Sequence, residues 1–558
     1  MRIQVIIILF HASLSICIIS NGSEISTTCP TGTYPSPPHN ECVCANIPGS
    51  SVILCDPDTL TVFVVTENIC MFFSEELQTT LIGTCPYWFV GKLPRNISQI
   101  MEESSKLCLH QHRTGPLCGE CKDGYALPAY SYYLGCVKCE SYKNGWIKFI
   151  AAAFLPVTLF YIIVITFRLS VTSSTLNAFT MINQVVAIPP LIRRIYSSSV
   201  SYTGQYSVNI IFAVTSVWNL DFFRSLYGPI CLYPNFNYQH VLLLEYTIGV
   251  YPLFLIFLTY ISVKLHDNFP VVVWLWKPFH RCLANFRRQW NTQSYLVHAL
   301  ATFIVLSYVK ILNTSFEFLI PSHVFNLKGQ NMHKFLWYYN GSVDMTSKDY
   351  LPYLVLAIFM LMVFNIFPLL LLALYPFRWF QRFLISILPP KMKLALHIFM
   401  DTSHGCFEDT AHDYRHFATL YMAVRFLNLL LVSVLSIKLY NSAVSILFTI
   451  TVVLVAKFQP YKCKSSNTVD IVLLLVIIIG YTSSTMYYTE SLFFPKWLNG
   501  VIVGIAILII YGYLGFLILS GMSSKFCMCL KKGKSFQFLQ HRCEHNVINR
   551  EDQALLTN

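Results

Sequence analysis

Runs of about twenty apolar residues recur through the chain after Trp146, and no other feature limits its possible folds so sharply. At about 1.5 Å per residue such a run crosses a bilayer core of about 30 Å, where backbone polar groups must be satisfied within the protein. We place nine runs, at 146–167, 206–226, 240–264, 294–320, 350–376, 416–437, 441–459, 467–488 and 499–521. The expected fold is an all-α polytopic membrane bundle of about nine transmembrane helices with a small disulfide-rich extracellular module at its N-terminus. Composition agrees: 55% of residues are hydrophobic, 12% are charged, and the mean hydropathy is +0.53, well above that of a soluble globular chain.

The chain opens with Met1 and Arg2, then VIIILF, and reaches small residues at Ser20 and Gly22, the pattern of a secretory signal peptide over 1–22. A Cys-rich extracellular module then covers 23–145, the helical domain 146–521 and a cytoplasmic tail 522–558. Basic residues gather at Lys277, Arg281, Arg287 and Arg288, at Arg378, Arg382, Lys391, Lys393 and Arg415, at Lys462 and Lys464, and at Lys531, Lys532 and Lys534. With nine crossings all four groups share one side, which the positive-inside rule makes cytoplasmic, leaving the N-terminus outside. The net charge of +12 is thus explained by topology, not by nucleic acid, since no basic groove with interleaved aromatics is present. Residues 175–196 hold Asn177, Asn183, Gln184 and Pro189-Pro190 and read as a re-entrant or interfacial helix buried against protein. Residues 269–290 mix Trp with basic residues and read as a helix lying on the membrane surface.

Two C-x-x-C pairs bracket residues 118–139, a spacing near that of a zinc ribbon. Outside the cell, however, cysteines oxidise. Eleven lie between the signal peptide and the first helix: Cys29, Cys42, Cys44, Cys55, Cys70, Cys85, Cys108, Cys118, Cys121, Cys136 and Cys139. Cys231 makes the number on that face even, so one bridge is expected to tie the module to the membrane domain, its partner undetermined. We expect disulfides and no metal.

The stretch RTGPLCGECKDGY, 113–125, resembles the Gly-bracketed turn of EGF-like and laminin-type modules, with an EGF-like stretch over 108–139. The helical part resembles uncharacterised invertebrate multipass proteins that carry such a module, and is distantly similar to transient-receptor-potential-like channels. The likeness rests on STLNAF (174–179), WNLDFF (218–223) followed by Cys231, LSYVKILNT (306–314), and DTSHGCFEDTAHDYRHFATLY (401–421) leading to Arg425. It implies a fold and relatives, not an activity.

Ionisable residues in a membrane are expensive and often functional. Ser307, Lys310, Asn313, Thr314 and Glu317 recur at helical spacing on one face, with Glu245 at similar depth and Arg425 in another span. One reading is an aqueous path or ion site, Glu245 and Glu317 attracting cations with Lys310 as partner or gate. The plainer reading is that Lys310 or Arg425 pairs with Glu245 and holds the bundle together. Asp401, His404, Cys406, Glu408, Asp409, His412, Asp413 and His416 are ligand types without a metal-site spacing, so a salt-bridged elbow is expected there. Asn96 and Asn340 head outward-facing glycosylation sequons, whereas Asn313 lies within a span and should stay bare. Gly500 and Gly504 suit close helix packing. Cys527 and Cys529 precede KKGK as a palmitoylation candidate.

Without a P-loop, G-x-S-x-G, H-E-x-x-H or dinucleotide turn, no catalytic residue and no cofactor are expected. The reading is a plasma-membrane sensor, receptor-like or channel-like. A secondary transporter, a G-protein-coupled receptor or an adhesive protein are the rivals. Expected partners are the lipid bilayer, an extracellular ligand or permeant ion, and a second copy of the chain, with no nucleic acid.

Overall fold

The computed structural model describes residues 33–36, 41–44, 52–56, 61–65, 69–74, 79–84, 112–115, 119–130, 135–139, 144–167, 171, 174–186, 216–222, 224, 230–265, 292–326, 331–404, 407, 414–435, 437–461 and 464–488. Ten helices lie among them: α1 (Gly145–Phe167), α2 (Ser174–Val186), α3 (Tyr238–Leu265), α4 (Thr292–Leu319), α5 (Leu351–Leu374), α6 (Arg378–Ile387), α7 (Pro390–His404), α8 (His416–Val434), α9 (Ile437–Phe458) and α10 (Lys464–Tyr488). Six of the described helices, α1, α3, α4, α5, α8 and α9, are long and apolar enough to cross a membrane. The chain is a multi-pass membrane protein.

Nine expected crossings thus become six among the described residues. The run at 467–488 is helical within α10, but its apolar part, Ser466–Thr482, is shorter than a full span. The run at 499–521 lies outside the described residues, as do the signal peptide, the 269–290 segment and the tail. The helix expected over 206–226 does not extend to 226: Ser216–Asn219 is a 3₁₀ turn and Leu220 has φ +62°. Ser216 closes this turn itself, accepting from the Asp221 amide (3.0 Å) through its carbonyl and donating its hydroxyl to the Asp221 carbonyl (2.8 Å). Hydropathy alone does not register such local bonding.

Burial separates the helices by sequence. The most apolar window of α4 is 83% buried inside the protein, against 22% for that of α5. The reason is the polar stripe of α4, which hydrocarbon would not tolerate, whereas α5 is apolar all round and can face lipid. Helix α2 also packs inside, with Met181, Ile182 and Gln184 fully buried. In α5 a π turn, Met362–Ile366, precedes Pro368, whose missing N–H breaks the regular ladder. The buried Asn365 of that turn donates its amide to the Tyr308 carbonyl on α4 (2.8 Å).

The described strands form five sheets. β1 (Thr33–Ser36) pairs with β2 (Glu41–Cys44) and β3 (Val52–Asp56) with β4 (Thr61–Val65). β5 (Ile69–Ser74) and β6 (Thr79–Thr84) join a five-stranded sheet, in the order β13-β12-β11-β6-β5, with β11 (Pro321–Asn326), β12 (Asn331–Trp337) and β13 (Asn340–Asp344). Since β11 starts two residues after α4 ends, the β6–β11 ladder attaches an early part of the chain by backbone hydrogen bonds to the continuation of α4. Two further hairpins, β7 (Arg113–Thr114) with β8 (Glu120–Cys121) and β9 (Tyr125–Ala126) with β10 (Val137–Lys138), form the Gly-rich stretch.

Candidate functional site

Two disulfides lie in this region, Cys121–Cys136 and Cys139–Cys231, with Cα atoms 5.6 and 5.8 Å apart. They consume three of the four cysteines of the C-x-x-C pairs, which removes the zinc-ribbon arrangement. Cys139 is the partner that spacing left open for Cys231. The bond sits at the head of α1, where Gly145 packs against the Cys231 carbonyl so closely that a Cβ would collide with it. Just beyond it, Ala129 forms a β-bridge with Ile230 (N–H to carbonyl 2.8 Å) and the Leu127 amide donates to the Phe236 carbonyl (3.0 Å).

These anchors bring residues 126–130 onto the helices, where Ala126, Leu127, Ala129 and Tyr130 are at most 2% exposed. The Tyr130 hydroxyl donates to the Phe222 carbonyl (2.8 Å), and the Arg224 guanidinium lies 5.7 Å from the centre of the Tyr130 ring, within cation–π range.

Arg224 belongs to a buried ring of four charges. Its Nη1 is 3.3 Å from Asp221 Oδ1 and 2.5 Å from Glu245 Oε1, and Lys310 Nζ pairs with Asp221 Oδ1 and Glu245 Oε2. Two cations and two carboxylates balance, as buried charges must. Three of the four come from distinct elements: the segment closing the 3₁₀ turn presents Asp221, and α3 and α4 supply Glu245 and Lys310. Gly249 lets α3 close on α4, since a Cβ there would come within 3.0 Å of Ile311 and 3.4 Å of the Lys310 stem.

Glu317, two turns further along α4, receives the Tyr238 hydroxyl (2.7 Å) and the Asn313 amide (3.0 Å) on its carboxylate, while Trp337 of β12 donates its indole N–H to the Glu317 carbonyl (2.9 Å). A small cavity of about 280 Å³ is lined by both groups together with Thr314 and Asn219. Much of that space is open to solvent, and what is enclosed holds about one water, far too little for an organic ligand. Chemically, then, the site is a charge lock whose carboxylates already hold protein cations.

Of the expected intramembrane residues, Glu245, Lys310, Asn313, Thr314 and Glu317 come together. Ser307, on the same face of α4, does not line the cavity. Arg425 is elsewhere and does not pair with Glu245: its Nε donates to Gln184 Oε1 (2.7 Å), Nη1 to the Tyr421 carbonyl (3.2 Å) and Nη2 to Asn177 Oδ1 (3.3 Å). Gln184 in turn donates to the Trp218 and Val305 carbonyls, both at 3.0 Å. Helix α2 is therefore the polar wedge that receives Arg425, a role that helix length and hydropathy do not convey. Nearby, the Tyr421 hydroxyl donates to Asp470 on α10.

Sequence reasoning missed Asp221, Arg224 and Tyr130. An acid and a base three residues apart within an apparent span were the available signal for the first two; nothing local marks Tyr130. In the 401–416 segment, Asp401 pairs with His397 (2.6 Å) and His404 stacks on Tyr375. Cys406, Glu408, Asp409, His412 and Asp413 lie outside the described residues, among which no group of metal ligands occurs. Asn340 is 6% exposed, its side chain against Gly119 and its Oδ1 accepting from the Ser342 amide (3.0 Å), so a glycan there would have to displace this packing. Cys29, Cys85, Cys108, Cys118, Asn96, Cys527 and Cys529 lie outside the described residues, and the side chains of Cys42, Cys44, Cys55 and Cys70 are not described. No protein-family model matches the chain, and neither curated proteins nor solved structures supply a match.

Proposed function

We propose that the protein is a plasma-membrane sensor in which a disulfide-bonded extracellular module biases the helix bundle through the buried ring of charges. The observation that carries this reading is Tyr130: a residue from the hairpin region is seated on Arg224 while hydrogen-bonded one residue from Asp221. Two further links act on the same helices. The Cys139–Cys231 bond reaches the segment leading into α3, which bears Glu245, and the β6–β11 ladder reaches the end of α4, which bears Lys310 and Glu317.

A ligand or force that shifts the module withdraws Tyr130 and perturbs Arg224. Moving one cation of a buried, balanced set changes the electrostatic energy by several kcal/mol, enough to exchange two arrangements of α3 and α4. Channel-like behaviour follows if that exchange frees Glu245 and Glu317 to meet cations. In this reading the stretch 108–139, with its two short hairpins and the Cys121–Cys136 bond, is taken as the EGF-like part of the module. A second reading, a secondary transporter, is favoured by the π turn of α5 beside Pro368, an interrupted helix of the kind that borders substrate sites.

The test is whole-cell current, with surface biotinylation as control, in cells expressing wild type, Tyr130→Phe or Cys139→Ser/Cys231→Ser. It is paired with hydrogen exchange over 238–265 and 292–319 in membranes. Exchange raised in both helices by either change, with altered current, supports the sensor. Unchanged exchange in both variants at equal surface density would sink it.

A further inference from the structure

No residue of α6 is buried in the protein, yet the helix is two-sided. Trp379, Phe380, Phe383, Leu384 and Ile387 recur at helical spacing and share one face, where Trp379, Phe383 and Ile387 are 61%, 53% and 63% exposed. Arg378, Gln381, Arg382 and Ser386 lie on the other face, which Ile385 alone interrupts. Water would leave the first face an uncovered apolar patch beside aromatic rings.

The place of α6 in the fold supplies the cover. Helix α5 has 24 residues, ~36 Å at about 1.5 Å per residue, so its C-terminal end reaches the headgroup level of a core about 30 Å thick. There the chain turns. Phe377 is extended (φ −79°, ψ 124°), its amide donates to the Leu374 carbonyl (3.0 Å), and Gln381 of α6 donates its side-chain amide back to the Tyr375 carbonyl (2.8 Å). The Phe377 ring meets His416, at the head of α8, with centroids 5.5 Å apart. Helix α6 therefore starts where one span ends and another begins, which is the bilayer boundary.

Charge selects the lipid. Between Arg378 and Met400 no Asp or Glu occurs, against the four cations Arg378, Arg382, Lys391 and Lys393. Among the described residues no carboxylate pairs with Arg378, Arg382 or Lys393. The planar guanidinium fork matches phosphate and carboxylate oxygens, and a basic amphipathic helix binds an anionic surface by its charge and its apolar face together. We propose that α6 is a surface helix that binds anionic phospholipid, with Trp379, Phe383 and Ile387 among the acyl chains and Arg378 and Arg382 on the headgroups. The proposal stands apart from the charge ring and does not rest on the sensor reading.

The test uses the full chain in nanodiscs of phosphatidylcholine alone or with about one-third phosphatidylserine, read by hydrogen exchange over 378–387. Each basic residue at an anionic surface is worth about a fivefold preference, so phosphatidylserine should raise protection of α6 roughly 25-fold through the two arginines. Arg378→Gln/Arg382→Gln should remove the increase and Arg378→Lys/Arg382→Lys should keep most of it, since lysine also attracts phosphate. High salt should erase the increase on the wild-type chain, which decides the matter if the glutamine variant does not fold. Brominated acyl chains should quench a part of the fluorescence that Trp379→Phe removes, which places the apolar face in lipid. Equal protection in both kinds of disc, an increase that survives in the glutamine variant, or a Trp379 signal that brominated lipid does not quench overturns the proposal.

Discussion

Substituting Lys310 by Met keeps most of its volume and removes its charge, leaving Asp221 and Glu245 without a partner whose side chain is 2% exposed. The carboxylates are 0% and 8% exposed, so solvent cannot take over the role of the ammonium. At an effective dielectric of about 20, a pair at ~4 Å interacts by ~4 kcal/mol, and ion desolvation opposes the gain by several kcal/mol per group. Removing one partner from a buried pair therefore lowers stability by about 3–5 kcal/mol, and loss of a lysine shared by two carboxylates should fall at the upper end. That is a large share of the ~5–15 kcal/mol that holds native proteins together. Glu245→Gln alone leaves an excess positive charge, but combined with Lys310→Met it restores balance, with Arg224 still 3.3 Å from Asp221. The double variant should thus be more stable than the sum of the single effects by ~2 kcal/mol or more. Unfolding of the purified full chain, followed by fluorescence-detected size exclusion after heating, measures all four corners of the cycle. A Lys310→Met loss within ~0.5 kcal/mol, or strict additivity, would refute the charge lock.

Four further outcomes are expected. Gly145→Val should prevent formation of the Cys139–Cys231 bond, because its side chain collides with the Cys231 carbonyl; non-reducing peptide mapping reads the loss. Tyr130→Phe removes the 2.8 Å bond to the Phe222 carbonyl and should lower stability by ~1 kcal/mol, whereas Tyr130→Ala also removes the ring over Arg224 and should lower it by at least ~3 kcal/mol, measured by the same heating assay. Asn365→Leu deletes the amide that reaches α4 from the π turn and should raise hydrogen exchange around Tyr308, which an unchanged exchange pattern would contradict. Asn340→Gln should leave electrophoretic mobility unchanged with and without glycosidase, since the Asn340 side chain is packed against Gly119.

Much of this molecule is local and therefore readable along the chain. Long apolar runs dictate membrane helices because hydrocarbon allows few alternatives, and among the described residues seven of the runs placed from sequence are helical. The stripe Lys310, Asn313, Thr314 and Glu317 is legible for the same reason: helical spacing puts these residues on one face, and their polarity turns that face inward. Hydropathy failed where short-range bonding overrode it, at the Ser216–Asp221 turn.

Pairing was decided only by tertiary structure. Asp221 and Lys310 are 89 residues apart, Cys139 and Cys231 are 92 apart, and Gln184 and Arg425 are 241 apart. Composition says that a buried lysine needs an anion and an odd cysteine needs a partner, but several candidates of each kind meet that need. Which one meets it depends on helix positions set by many weak contacts at once. Helix α2 is the clearest case: thirteen residues too polar for lipid became the interior wedge that holds Arg425, its Gln184 and Asn177 oxygens accepting from the guanidinium.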